Sequence, residues 1–380
     1  MSEKVLRVGI IGCGEIAQVS HIPIFNFLHT KFLTTYLCDA SQGAVEHCKR
    51  MVQGNTPATT SSPQELCASS NVDVVLICNG DEAHVECGIL ALKHNKWCLI
   101  EKPLALCYRD LNMLLEAEKK SEGKVFVGTM RRYAPAFLEA IEEVKSMGPI
   151  LYARVRAIIG PNSNFVSQST TYSRPFEASD FSDAATKERA EKEKDMMSSA
   201  HSEFGVSMTE DSVKMLRMLG SLNTHDLSAM REILGMPSSV LGAYLGLPGI
   251  YTVLFQYPSF PCTFESGINA VPTFDAHIEV YGQDKIVRVQ YDTPYVKGLP
   301  VTMTIREKIP SHPGQESFGF QERVVRRTYE DPYTLEMLEF WECVVNGKTV
   351  KTSAKDSLGE LDLWKMIMQA GEKNYKPKPA

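Results

Sequence analysis

The stretch Val8 to Ala17, VGIIGCGEIA, constrains the fold of this chain more than any other. An apolar strand runs into a turn of the form GxGxxA (Gly12, Gly14, Ala17), and a helix starts at once. Gly12 permits the tight turn, Gly14 lets the backbone approach a ligand without a side chain in the way, and small Ala17 allows helix and strand to pack closely. Backbone N–H groups of Cys13, Glu15 and Ile16 would then face outward at the positive end of the helix, a seat for a pyrophosphate.

Glycines also gather in ordinary turns, so the second half of the fingerprint matters. Phe32 to Cys38 reads as a second strand and Asp39 follows it, 25 positions after Gly14. That is close to the spacing of about 20 at which an acidic residue reaches ribose hydroxyls. An aspartate there favours NAD, because the 2'-phosphate of NADP would meet a like charge. Ser41 nearby is able to take a phosphate, which keeps NADP open, and Asp39 has an alternative role as a cap of the helix after Ser41.

At 380 residues the chain exceeds what one core usually supports, so two domains are expected. A net charge of -6 and the absence of a basic stripe argue against nucleic acid as a partner. The ten cysteines are scattered singly, with no CxxC pair to indicate zinc or a redox dithiol. Several fall in apolar strands, where a free thiol acts as a small hydrophobe, and this points to a reducing compartment. The amino-terminal residues form no secretory apolar region, no apolar run reaches the roughly 18 residues of a membrane span, and KPKPA at the other end matches no targeting signal. The expectation is a cytoplasmic protein that binds neither membrane nor metal.

Strand and helix patterns alternate over residues 1–128: strands at Val5 to Ile11, Phe32 to Cys38, Val72 to Cys78, Trp97 to Ile100 and Val125 to Gly128, with helices from Glu15, Ser41, Ala83 and Tyr108. Continuous apolar strands separated by helices predict a parallel sheet covered on both faces, an α/β Rossmann domain whose ligand sits beyond the carboxyl ends of the strands. After Pro149 the period changes. Leu151 to Ile159 alternates, with Tyr152, Arg154 and Arg156 on one face, and six further strand-like runs follow between Val240 and Lys308. Residues 129–380 thus read as an α+β domain with a large, mostly antiparallel open sheet, a helix over His225 to Leu234, and helices at Thr334 to Val345 and Ala354 to Ala370. An insertion at about 160–219 carries no strand pattern. Within it, Asp183 to Asp195 is charge-dense and reads as a solvated helix face.

Ile100-Glu101-Lys102-Pro103 closes the Trp97 strand, where a lysine would project toward the reactive end of a dinucleotide. An ammonium there stabilises an oxyanion as hydride leaves or arrives. Read by itself, Lys102 is equally a surface lysine before a proline-stopped loop.

The GxGxxA turn, Asp39, Glu101-Lys102-Pro103, the segment MRRYAPAF (Met130 to Phe137) and the closing pattern DPYTLEMLEFWECVVNGK (Asp331 to Lys348) together resemble the glucose-fructose oxidoreductase, inositol dehydrogenase and MocA family. The likeness covers nearly the whole chain. It implies a nicotinamide-dependent oxidoreductase acting on a sugar, polyol or related cyclic alcohol or ketone, with Lys102 as catalytic lysine. It also implies a second catalytic residue, His225, in GSLNTHDLSAMREILG, and a homodimer or homotetramer formed through the second sheet. The family's aspartate four positions before that histidine is replaced by Ser221, which cannot remain anionic, and Asp226 would point elsewhere on a helix. Tyr133 and Arg132 become pocket residues, Tyr133 toward substrate and Arg132 toward cofactor. Asn79, Gly80 and His84 match the loop that passes the cofactor's adenosine and ribose, while Asp81 reads as an N-cap. Two other readings stay open: a nucleotide-sensing binding protein on the same scaffold, motivated by the missing aspartate and the insertion, and a redox-neutral epimerase or eliminase that recycles its cofactor.

Overall fold

The computed structural model describes residues 4–245, 249–310 and 318–374, so the KPKPA terminus lies outside the described residues. Two compact units account for the chain: Met1–Thr129 with Val166–Met208 and Glu336–Leu361, and Met130–Phe165 with Thr209–Leu335 and Asp362–Ala380. A single division at 128/129 therefore does not describe it, because most of the insertion and part of the carboxyl-terminal region group with the first unit.

In the first unit β1 (Leu6–Ile11), β2 (Phe32–Cys38), β3 (Ala58–Thr60), β4 (Val74–Ile77), β5 (Trp97–Glu101) and β6 (Val125–Gly128) form a sheet in the order β3-β2-β1-β4-β5-β6. Every adjacent pair is parallel. The apolar strand runs are buried on both faces because crossover helices cover them, among them Gln42–Met51, His84–Lys93 and Tyr108–Glu118. Strand order reverses between β1 and β4, which opens a crevice at their carboxyl ends. Short β3 pairs at the edge through Ala58 to Thr60, a stretch without apolar alternation that sequence reading passed over. All ten cysteines are free and buried, consistent with their use as small hydrophobes.

The helix of the insertion runs over Asp183–Phe204, capped by the Ser182 hydroxyl and ended by Gly205 in the left-handed conformation. Its charge-dense part, Asp183 to Asp195, holds no buried residue and is mostly exposed, as its charge density predicts. Arg189, Lys192 and Asp195 pair with Glu82, Glu86 and Arg109 of the same unit at 2.8, 2.7 and 2.7 Å. Further along, Met196, Met197, Ala200 and Phe204 are buried, with Phe204 edge-on to Tyr108. The Glu203 carboxylate accepts the backbone N–H groups of Tyr108 and Arg109 at 2.5 and 2.9 Å, capping a helix whose own Cys107 supplies no side-chain cap.

The second unit holds β7 (Ile150–Ile159), β8 (Ser239–Tyr244), β9 (Ile250–Gln256), β10 (Pro261–Ile268), β11 (Phe274–Gly282), β12 (Lys285–Tyr291), β13 (Thr302–Lys308) and β14 (Phe320–Val325). Their order is β14-β13-β12-β11-β7-β10-β9-β8, antiparallel except where β7 meets β10. Ala153, Val155 and Ala157 are buried beneath the helix Thr224–Leu234, as the alternation predicts. On the opposite face Arg154 grips both oxygens of Glu265 at 2.9 Å, and Arg156 joins Glu265 to Asp275. The fold class read from sequence is the one found, an α/β dinucleotide-type domain with an α+β domain built on a large, mostly antiparallel sheet.

Candidate functional site

The turn after β1 is shaped by two glycines. Gly12 has φ +100, and a Cβ there would lie 2.4 Å from the Asn79 backbone nitrogen, so no other residue fits without moving the loop after β4. The chain is helical from Glu15, directly after Gly14. Asp39 secures the turn: its carboxylate accepts the Cys13 N–H at 2.7 Å and the Ser41 N–H at 2.8 Å. Burial raises the Asp39 pKa, and those backbone N–H groups oppose the rise. The helix after β2 is capped by the Ser41 hydroxyl, which accepts from Ala44 at 3.1 Å, so Asp39 is not its cap.

A crevice of about 450 Å³ lies over this turn, lined by Gly12, Gly14, Asp39, Asn79 and Gly80 and roofed by Phe176, Phe181, Arg189 and Lys192 of the insertion. The roof is fastened by buried Gln18, whose amide nitrogen donates to Cys13 and Arg174 carbonyls at 2.7 and 3.2 Å while its oxygen accepts the Arg174 N–H at 2.7 Å. The Phe176 ring comes within 3.3 Å of where a Gly14 Cβ would stand. Sequence reading missed Gln18, Arg174, Phe176 and Asp180; the last three occupy a Ser/Thr/Pro-rich stretch with no periodicity that would single them out.

Lys102 follows β5 at the same end of the sheet, half-buried, in a cis bond to Pro103. Its N–H donates to the Glu101 carboxylate at 3.1 Å, and that buried carboxylate also meets His21 Nε2 at 2.9 Å. Burial drives the Glu101 pKa up, but the His21 hydrogen bond and charge, with the Lys102 charge, outweigh it and leave the pKa below the usual carboxylate value. His84 is buried, with Nδ1 2.8 Å from the Pro103 carbonyl and Nε2 3.1 Å from the Asn79 carbonyl. Both ring nitrogens are thus engaged by backbone, which makes His84 a brace between two loops rather than a hand extended to a ligand.

In the second unit the residues after β6 turn inward. Arg131 is buried with its guanidinium 4.9 Å from the Tyr291 ring centroid, and it pairs with Asp226. Burial pushes the Asp226 carboxyl up to about 6 despite the arginine. Arg132, expected at the cofactor, places Nε 2.5 Å from Glu232 within this same unit, and Tyr133 is buried beside it in sequence. His225 is 8% exposed, whereas Ser221 is exposed on a π-helical turn, Leu219–Asn223, that interrupts the α-helical spacing between them. Asn223, not Ser221, is the buried polar neighbour, donating to the Ser266 hydroxyl at 2.6 Å.

The first unit carries the elements of a dinucleotide seat: a glycine turn that tolerates no Cβ at its first position, a helix start at Glu15 and a partly buried carboxylate after β2. Among the described residues no cluster of three or more His, Cys, Asp or Glu is arranged to hold a metal, and no helix is long and apolar enough to cross a membrane.

Residues 6–129 match the family model described as "Oxidoreductase family, NAD-binding Rossmann fold", of the Gfo/Idh/MocA group. Over 136 residues, 36% of this chain and 38% of the relative, the sequence is 33% identical to an inositol 2-dehydrogenase/D-chiro-inositol 3-dehydrogenase of Lactiplantibacillus plantarum. It is 26% identical over 169 residues to Oxidoreductase P35 of Formosa agariphila, covering 44% of this chain and 52% of that one. The chain thus spans about half or less of the curated relatives it matches. Among solved structures, levoglucosan dehydrogenase in complex with NADH and levoglucosan superimposes with a TM-score of 0.71 at 15% identity over 98% of both chains. An aldose-aldose oxidoreductase from Caulobacter crescentus gives 0.69 at 15% identity over 98% of this chain and 99% of that one, a likeness of fold.

Proposed function

We propose that this chain, whose residues 6–129 match the Gfo/Idh/MocA oxidoreductase family model, is an NAD(P)-dependent dehydrogenase or reductase acting on a sugar, polyol or related cyclic alcohol or ketone. The observation that carries the reading is the placement of Lys102 immediately beyond β5, at the same edge of the sheet as the Gly12–Gly14 turn after β1 and Asn79 after β4. The substrate class follows that of the inositol dehydrogenase relative and of the levoglucosan dehydrogenase.

A bound nicotinamide dinucleotide supplies or accepts the hydride. Backbone N–H groups of Gly14 to Ile16 would hold its phosphates, Asp39, which anchors the Cys13 N–H, would take ribose hydroxyls, and Asn79 and Gly80 would flank it. Lys102 Nζ donates to the substrate oxygen, stabilising negative charge as it develops. The Glu101–His21 pair fixes the backbone from which Lys102 projects. In the second unit, His225 is the residue the family resemblance assigns to proton transfer, and Tyr133 and Ser221 those it assigns to substrate. Ser221 stands where the family has an aspartate, and the acid-base role is therefore given first to Lys102. Assembly as a homodimer or homotetramer through the second sheet belongs to the same reading.

The test follows nicotinamide absorbance with a panel of sugars, inositols and cyclic ketones. Lys102→Ala should lower turnover by roughly 10²-fold or more, the range of lost general acid-base catalysis, while NADH binding measured by fluorescence persists. Unchanged turnover would refute the assignment.

A further inference from the structure

We propose that Asp180, carried by the insertion, occupies the place of the 2'-phosphate of NADP and thereby restricts this site to NAD; the inference rests on the dinucleotide reading above. In dinucleotide folds the choice between the two cofactors is made where the second strand ends and its helix begins. Here that corner is Asp39, Ser41 and Gly43, and the insertion reaches it. The Arg174 guanidinium meets Asp180 in two parallel bonds, Nη1 to Oδ2 at 2.9 Å and Nη2 to Oδ1 at 2.8 Å. Asp180 also accepts from the Ser41 hydroxyl and, at 2.7 Å, from the Glu177 N–H. A Cβ on Gly43 would lie 2.9 Å from Arg174 Nη2 and 3.3 Å from Asp180 Oδ1, which places the pair directly on the first turn of the helix after β2.

An arginine fork, a serine hydroxyl and a close backbone are the donors that a phosphate dianion seeks. In this chain a carboxylate of the protein already holds them. Arg174 is neutralised by its bidentate partner, so an incoming 2'-phosphate would find that guanidinium already engaged and would face both Asp180 and Asp39. The two carboxylates are near enough that Asp180 contributes to the raised pKa of Asp39, after burial. A bare 2'-hydroxyl brings no charge and has the Asp39 oxygens to donate to, since a carboxylate offers more acceptor sites than its bonds to Cys13 and Ser41 fill. Nothing in the sequence alone identifies Asp180, because it stands 141 positions beyond Asp39.

The experiment titrates the full chain with NADH and with NADPH, following nicotinamide fluorescence, for the wild type, Asp180→Ala, Asp180→Asn and the double variant Asp180→Ala with Arg174→Ala. The wild type should bind NADH more tightly. Asp180→Ala should tighten NADPH roughly tenfold to a hundredfold, the worth of a charge-assisted hydrogen-bonded pair, with NADH changed far less. Asp180→Asn, which keeps the side chain's size, should move the ratio the same way, and removing Arg174 as well should cancel the gain. A wild type that prefers NADPH, or a ratio unmoved in both single variants, would overturn the inference while leaving the dinucleotide reading intact. Failure of every protein to bind either cofactor would overturn that reading and the inference together.

Discussion

Replacing Asp226 with asparagine should remove a pH dependence of stability that the wild type carries between about pH 4 and pH 6. The carboxyl is 1% exposed; Oδ1 pairs with Arg131, and Oδ2 has no hydrogen-bond partner among the described residues. Burial raises its pKa from 3.8 to about 6, with the Arg131 charge and hydrogen bond pulling the other way. The folded value exceeds the unfolded one, so the native state binds the proton more tightly. Its contribution to stability is therefore fully present below pH 4 and is lost as pH rises through 6. Two pKa units at about 1.4 kcal/mol each put that loss on the order of 3 kcal/mol. The asparagine does not titrate, so its stability relative to wild type should rise by this amount from pH 4 to pH 7, on top of a constant offset from the lost ion pair. Urea unfolding of both proteins, followed by tryptophan fluorescence at intervals across that range, measures the difference. Arg131→Met provides the complement: it leaves the buried carboxylate without a countercharge and should lose about 3–5 kcal/mol at neutral pH, less in acid. Parallel pH profiles for Asp226→Asn and wild type would show that the carboxyl is not held in a desolvated site, and the account of this pair would fail.

Two further changes probe the roof over the crevice. Phe176 lies no more than about 4.8 Å from the Gly14 Cα, taking a C–C bond as about 1.5 Å beyond the 3.3 Å contact. A layer of ligand atoms between the two would need about 7 Å, twice an ordinary carbon contact. The ring must therefore swing aside for a pyrophosphate, and Phe176→Ala should speed NADH association in stopped-flow fluorescence; an unchanged or slower rate would count against this. Glu203→Ala removes the carboxylate that caps the helix starting at Tyr108, and should lower stability by about 1 kcal/mol. It should also hasten tryptic cleavage within the Lys/Arg-rich helix Asp183–Phe204, with equal cleavage rates arguing that the cap does not hold the segment down.

Much of the fold was written locally. A strand, a glycine turn and a helix start fit within Val8 to Ala17, and apolar runs or strict alternation mark twelve of the strands, because periods of 2 and 3.6 residues register which face of an element meets a core. The strands left unread, β3 and β14, are edge strands with little buried apolar surface to leave a pattern. The position of Lys102 just beyond β5 was legible because strand ends are local. The roof, the Arg131–Asp226 pair and Asp180 were not, since they depend on partners far apart in the chain: Gln18 meets Arg174 across 156 positions, and Arg131 meets Asp226 across 95. Sequence periodicity decided the layers of this protein, whereas long-range closure alone decided which charges face one another across them, because a polar side chain carries no periodic signal of the partner that will satisfy it.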